Sequence, residues 1–257
     1  MTYLALWLLA LGAGDLLRPG AELTGRRPWW WPLLASVPVL LLGWPLLGLG
    51  AGPRLVSLPL MLLALVAWTR TSVTAVAAGG RTRYDQAPAL SRRARRSRVA
   101  ALSALLVAVA VGFAVAGVDP PVAGPVATWW HGLGLPRLAA VPPTRAVMVL
   151  AAMLVQVGTA NVVVRLVLDA AGAHSEPGVL RGGRWLGPME RVFVVGLALA
   201  GQWTAASVVV AAKGILRFPE LQAQRAQGQR IDAVTEYFLV GSFTSWIVAL
   251  GAAVLAL

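Results

Sequence analysis

The sequence of 257 residues has no cysteine, two histidines and few charged side chains. Without cysteine the chain cannot form disulfides, thiolate nucleophiles, iron–sulfur clusters or cysteine-based zinc sites. Charged residues make up 12% of the chain and hydrophobic residues 58%, whereas soluble domains have about a quarter charged and about half apolar. This composition excludes intrinsic disorder, a disulfide scaffold and a cytosolic α/β enzyme, and it predicts a membrane protein.

Motifs that carry enzyme chemistry are also missing. The sequence contains no HExxH zinc pair, no GxxxxGK[ST] phosphate loop, no GxSxG nucleophile elbow and no aspartate-rich run for magnesium. His131 and His174 lie in two separate segments outside the long apolar runs, so they are not expected to form a haem-ligating pair. An ATPase, a redox protein and an intramembrane metalloenzyme are therefore disfavoured, and we expect no cofactor and no metal. A cofactor-free enzyme that acts on lipid stays open.

Apolar runs of about the length of a bilayer recur along the chain: 2–17, 32–50, 55–78, 99–118, 145–168, 189–212 and 236–257. A helix of about 20 residues crosses a hydrocarbon core roughly 30 Å thick. The pattern predicts one all-α transmembrane bundle with about seven spans, four within 1–118 and three within 144–257. The connection 119–143 is rich in proline, glycine and tryptophan, so its part 122–143 favours an interfacial or re-entrant segment over a further span.

Basic residues predict the topology. The net charge is +12, and seven arginines lie within 79–98. By the positive-inside rule this connection is cytoplasmic, which places the N-terminus outside and the C-terminus inside. If 122–143 crosses instead, everything after it inverts.

The scatter of the other basic residues among short connections predicts the partners. It favours contacts with anionic lipid headgroups and no binding of nucleic acid. The arginine-rich connection 79–98 is also a candidate regulatory patch for anionic lipid or an acidic partner. A membrane-protein partner and a second copy of the chain are further candidates.

Polar side chains within apolar runs are the first candidates for function, because each costs free energy in the membrane unless it finds a partner. Gln156 and Gln202 lie near the middle of the fifth and sixth runs, and Arg70 interrupts the third. One interpretation makes them a polar site on a substrate path. The other makes the glutamines interhelical hydrogen bonds, worth about 0.6 kcal/mol each, and lets Arg70 extend to the headgroups. The sequence favours the second interpretation, and we predict that Gln156 and Gln202 approach each other.

Three stretches of the C-terminal half share motifs with a known family: GGRWLGPMERVFVVGLALAGQW at 182–203, AAKGILRFPE at 211–220 and EYFLVG at 236–241. They resemble a family of bacterial inner-membrane proteins of unknown function. The resemblance implies a multi-pass membrane protein without lending an activity. It singles out eight positions: Arg184, Gly187, Glu190, Arg191, Gln202, Lys213, Arg217 and Glu236. The family has a histidine shortly before an aspartate in its first helix, whereas Asp15 has no nearby histidine here, so no metal site is expected at that end.

The candidate binding residues form one set: Gln156, Gln202, Arg70, Glu190, Arg191, Lys213, Arg217 and Glu236. No residue is predicted to be catalytic. A structural or regulatory membrane protein with lipid or protein partners is therefore the first interpretation, and a transporter of a small solute or lipid is the second. A lipid-modifying enzyme that uses charged residues at the membrane interface, such as Glu190, Lys213 and Glu236, as acid or base is the third.

The last helix carries two packing predictions. Glu236 is expected to pair with Lys213 or Arg217, because the sixth and seventh runs would form an antiparallel hairpin and both helix dipoles favour the arrangement. Small residues recur every four positions along the seventh run, at Gly241, Ser245, Ala249 and Ala253. This stripe predicts a close approach to a neighbouring helix.

Overall fold

The computed structural model of the chain describes residues 1–18, 28–50, 53–82, 88–114, 119–171, 183–226 and 231–257. All regular elements within these residues are helical, comprising eleven α-helices and one short 3₁₀ turn at Pro53–Val56. The all-α class predicted from the sequence is confirmed for this part of the chain.

The described chain falls into two compact units. Unit 1 covers Met1–Thr159 together with Ala256 and contains α1 (Thr2–Leu16), α2 (Leu33–Leu46), α3 (Ser57–Thr82), α4 (Pro88–Ala114), α5 (Gly124–Gly132), α6 (Pro136–Ala139) and α7 (Pro143–Val157). Unit 2 covers Ala160–Leu255 together with Leu257 and contains α8 (Thr159–Ala171), whose first residue belongs to unit 1, α9 (Gly183–Leu199), α10 (Trp203–Ala226) and most of α11 (Ile231–Ala256). A single bundle of 1–257 stays a prediction.

The first helix, α1, forms the core of unit 1. It packs mainly against α2 and α7, and most of its residues are buried. Two glycines allow this packing. A Cβ added to Gly12 would lie 3.2 Å from the carbonyl carbon of Leu154 in α7, and one added to Gly14 would lie 2.8 Å from the carbonyl oxygen of Pro32 just before α2. Small residues at such contacts let helix backbones approach closely.

Among the described residues, three helical segments are long and apolar enough to cross a membrane: Ser57–Ala78 in α3, Ala94–Ala114 in α4 and Phe238–Ala256 in α11. A fourth span results if α7 and α8, which are bent by 44° at Gly158, are counted as one broken helix. The helices of the first two predicted runs, α1 and α2, have 15 and 14 residues. At about 1.5 Å per residue they reach roughly 22 Å, which is short of a 30 Å core. Three to four spans are therefore supported, and the predicted seven are not confirmed.

The sixth predicted run, 189–212, is not one helix. Helix α9 ends at Leu199 and α10 begins at Trp203. Between them Gly201 adopts φ +73°, a left-handed conformation that glycine takes without steric cost. The segment 122–143 also contains no helix of spanning length, because α5 and α6 have nine and four residues. The predicted interfacial or re-entrant position of this segment stays a prediction.

Candidate functional site: two charged clusters between the helices

The first cluster, which we call the Asp15 cluster, is built on the end of α1. Arg18 follows Asp15 by three positions, a spacing that places both side chains on the same side of a helical turn. Arg18 Nε lies 2.7 Å from Asp15 Oδ1, and the two side chains are only 3% and 1% exposed. Isolated charges buried to this degree are very costly, so each charge here depends on the other.

Two residues of α3 complete the Asp15 cluster. Trp68 Nε1 donates to both carboxylate oxygens of Asp15, at 3.0 Å to Oδ2 and 3.3 Å to Oδ1. Arg18 Nη1 donates to Ser72 Oγ at 2.9 Å, and its guanidinium carbon lies 5.8 Å from the centroid of the Trp68 ring, within the range of a cation–π contact. The cluster thus joins α1 to α3 through hydrogen bonds and through a cation–π contact.

The register of α3 places this cluster deep in the candidate span. Trp68 is the twelfth of the 22 residues of Ser57–Ala78, so it lies close to the middle of a helix that would cross the hydrocarbon core. The break between α7 and α8 lies beside the same turn of α1. A Cβ added to Gly158 would lie 2.7 Å from the carbonyl oxygen of Gly12 and 3.3 Å from Asp15 Cβ.

The second cluster, which we call the Glu190 cluster, lies in unit 2. Glu190 projects from α9, and its Oε2 forms an ion pair with Lys213 Nζ of α10 at 2.6 Å. Its other oxygen, Oε1, accepts a hydrogen bond of 3.0 Å from Trp246 Nε1 of α11. The Glu190 and Lys213 side chains are 8% and 19% exposed. One carboxylate therefore connects three helices.

Arg191 extends the Glu190 cluster to α8. Its Nη2 donates to Asn161 Oδ1 at 2.5 Å, and its Nη1 donates to Ser245 Oγ of α11 at 3.1 Å. Ser245 and Trp246 are the eighth and ninth of the 19 residues of Phe238–Ala256. By register the Glu190 cluster therefore also contacts the middle of a candidate span. The position of Glu190 and Lys213 at the membrane interface stays a prediction.

The structure brings together three of the predicted binding residues, Glu190, Arg191 and Lys213. Lys213 pairs with Glu190, whereas the side chains of Arg217 and Glu236 lie outside the described residues, as does that of Arg184. The predicted pairing of Glu236 with Lys213 or Arg217 therefore stays a prediction.

The other three predicted residues lie apart from the Glu190 cluster. Gln156 is fully buried near the end of α7 in unit 1, where its Nε2 donates to Ala152 O of the same helix at 3.4 Å. Gln202 is exposed in the turn before α10 in unit 2, so it is not at the middle of a helix. Because they belong to different units, their predicted approach stays a prediction. Arg70 is exposed on α3, with its guanidinium carbon 5.6 Å from the centroid of the Trp29 ring.

Sequence reasoning missed most partners in both clusters. The i, i+3 spacing of Asp15 and Arg18 is visible in the sequence, but no pairing was predicted from it. Trp68, Asn161 and Trp246 gave no signal, because the contacts that define them are between helices distant in sequence. Small size alone drew attention to Ser245, which the structure buries together with Ala249 and Ala253, as the predicted small-residue stripe requires.

The clusters have limited chemical options. Within the described residues, no group of three His, Asp or Glu side chains could hold a metal ion. Both oxygens of Asp15 and both oxygens of Glu190 already accept from N–H donors. Each carboxylate is therefore already engaged as an acceptor by groups of its own cluster.

Comparisons with known proteins give no further assignment, because no family model, no curated protein and no solved structure matches the chain.

Proposed function

We propose that the chain is a multi-pass protein of a bacterial cytoplasmic membrane with a structural or regulatory role and with lipid or protein partners. The observation that carries this proposal is that each unit contains a buried carboxylate held by a cation and an indole N–H of the same unit. Asp15 is held by Arg18 and Trp68, and Glu190 is held by Lys213 and Trp246. Groups arranged in this way hold helices against each other, and this favours a structural role over substrate binding.

The energetics support a packing role for the clusters. In lipid there is no hydrophobic drive to bring apolar helices together, so close packing and polar contacts hold them. Breaking a buried pair by removing one partner costs about 3–5 kcal/mol, because the other charge is left without compensation. Each cluster therefore penalises any packing that separates its members, and in this way restricts which helices pack together.

The proposal is tested by separating stability from activity at Glu190. We expect Glu190→Gln and Lys213→Met each to lower the melting temperature of the purified protein, and the double variant to recover much of the loss. We also expect complementation of a gene deletion to follow the amount of folded protein in the membrane. Met189→Leu is the matched control, because Met189 is the neighbour of Glu190 and is 66% exposed.

One outcome would overturn this assignment. If Glu190→Gln accumulates and melts as the wild type does but does not complement, Glu190 performs chemistry or transport and the structural role is wrong.

A second candidate function, transport of a small solute, rests on the broken pair α7–α8. Transporters place substrates near the bilayer midplane, at helices that are interrupted there. Here the 44° bend occurs at Gly158. A Cβ added to Gly158 would lie 3.3 Å from Asp15 Cβ, and the neighbouring Gln156 and Thr159 are buried. A polar, interrupted segment beside a deep ion pair is the arrangement that such a site needs.

This candidate is tested in proteoliposomes. If the break is a transport site, the wild type should dissipate a pH or solute gradient across the vesicle membrane faster than empty vesicles. Asp15→Asn should abolish the difference, while Arg137→Gln, an exposed change on α6, should not. Equal rates for wild-type and empty vesicles across a panel of ions and small solutes would remove transport as a function.

A further inference from the structure

Among the described side chains of helix α4, three exposed arginines lie on one side. Arg92, Arg95 and Arg96 are spaced by three and four positions, so they are neighbours on the same face of the helix. We call them the arginine triad. Within the described part of the chain, no ion pair is found for any of the three side chains, and like charges at this spacing destabilise a helix. A bound anion would therefore reduce the repulsion among the three arginines.

The same face of α4 continues into an exposed apolar strip. Val99, Leu106, Val107 and Val111 are between 54% and 69% exposed. They follow the triad at helical spacing, so the strip runs along the axis directly from the arginines. From Val99 to Val111 the strip extends roughly 18 Å at 1.5 Å per residue, which is close to the thickness of one leaflet's hydrocarbon, about 15 Å. The opposite face of α4 is packed, since Ala94 and Ala101 are fully buried.

We propose that this face of α4 binds an anionic phospholipid, with the phosphate against the arginine triad and an acyl chain along the apolar strip. This inference rests on the membrane location given in the proposed function. The lipid would belong to the leaflet on the side of the arginine triad. Charge complementarity selects this occupant. An anionic phospholipid matches positive charge at one end of the strip and apolar surface along the rest.

A second copy of the chain fits this face less well. Two copies in the same orientation, paired through α4, would bring two arginine triads together, and the exposed face of the helix from Arg92 to Ala114 has no acidic residue to offset them. Like charges at close range oppose such pairing. Self-association through α4 is therefore an outcome against the proposal.

The test compares lipid binding of the full chain with matched variants. Purified protein is titrated with phosphatidylglycerol and with phosphatidylcholine of the same acyl chains, and bound lipids are counted by native mass spectrometry. Each basic residue near an anionic surface contributes roughly a fivefold preference, the factor equivalent to about 1 kcal/mol. We expect the wild type to prefer phosphatidylglycerol by on the order of 100-fold at its tightest site, from three such residues.

The variants identify the site. Arg92→Gln/Arg95→Gln/Arg96→Gln should lose most of the preference. Arg92→Lys/Arg95→Lys/Arg96→Lys should keep most of it, because the charge is retained. If the triple glutamine variant does not accumulate, Arg95→Gln alone should lower the preference about fivefold. An unchanged preference in the variant that folds would overturn the proposal.

Two further measurements separate a lipid from other occupants. Inorganic phosphate should raise the melting temperature in phosphatidylcholine nanodiscs much less than phosphatidylglycerol does, and an equal rise would show a site for a free anion instead. If the protein has twice the mass of one chain and Val107→Arg restores the mass of one chain, this face of α4 is a dimer interface. Resistance to alkaline extraction tests the membrane location separately, so loss of lipid preference in an inserted protein refutes only the lipid site.

Discussion

The Asp15–Arg18 pair gives the sharpest prediction, because its two charges can be removed singly or together with little change in shape. Asp15→Asn keeps an oxygen that can accept from Trp68 Nε1 but removes the negative charge. Arg18 would then be left 3% exposed without its carboxylate. Arg18→Met keeps much of the apolar length of the side chain and removes the positive charge.

The magnitudes follow from burial. Each single change leaves one charge uncompensated in the core, and such losses cost about 3–5 kcal/mol. Replacement of a whole buried pair by neutral or apolar groups of similar volume is often neutral or stabilising. We therefore expect each single variant to lose about 3 kcal/mol and the double variant to lose less than either.

The assay is equilibrium unfolding in mixed micelles, with the helical circular dichroism signal followed as denaturing detergent increases. Four proteins are compared in one double-mutant cycle, and Arg137→Gln serves as the control because Arg137 is exposed on α6. A double variant that loses the sum of the two single losses would refute the reasoning, since additivity is expected only of residues that do not interact.

Two packing predictions accompany it, each with a control in the same chain. Gly14→Ala should destabilise the protein by about 1–3 kcal/mol, because its new Cβ would lie 2.8 Å from the carbonyl oxygen of Pro32; Gly214→Ala in α10 meets nothing within 4 Å and should not destabilise. Ala249→Leu should lower the melting temperature because Ala249 is fully buried, whereas Val254→Leu on the same helix should not, because Val254 is 65% exposed. Equal melting temperatures for the members of either pair would contradict the packing described.

The spans in α3, α4 and α11 could be predicted from sequence because each is a long apolar segment without an internal break. The first two runs were harder. Hydropathy measures how apolar a run is, and it does not tell a helix that faces lipid from one enclosed by other helices. Helix α1 is apolar on all sides because it is enclosed by the rest of unit 1. The prediction of one helix over the sixth run was wrong for a local reason. Gly201 and Gln202 form a turn inside a sequence that remains apolar on average.

The candidate sites were only partly predictable. The resemblance selected Glu190, Arg191 and Lys213, which the structure places together. It could not supply Trp246 or Asn161, because a tertiary contact depends on the relative position of helices that the sequence does not encode locally. Asp15 and Arg18 carried a local signal in their spacing, yet their burial depends on the packing of α3 against α1.

Both clusters combine a carboxylate, a cation and an indole N–H at the middle of a candidate span, through Trp68 in one unit and Trp246 in the other. Tryptophan in a membrane protein is usually read as a headgroup anchor, but an indole donor at mid-span needs an acceptor, and a carboxylate there needs donors and a cation. Each group satisfies a requirement of the others. A slip of one helical turn, about 5.4 Å, would separate the carboxylate from the indole and leave both unpaired. Apolar side chains in lipid penalise such a slip only weakly, because lipid replaces the lost contacts. We infer that the clusters set the register of the helices that they join, as single buried polar residues do in coiled coils.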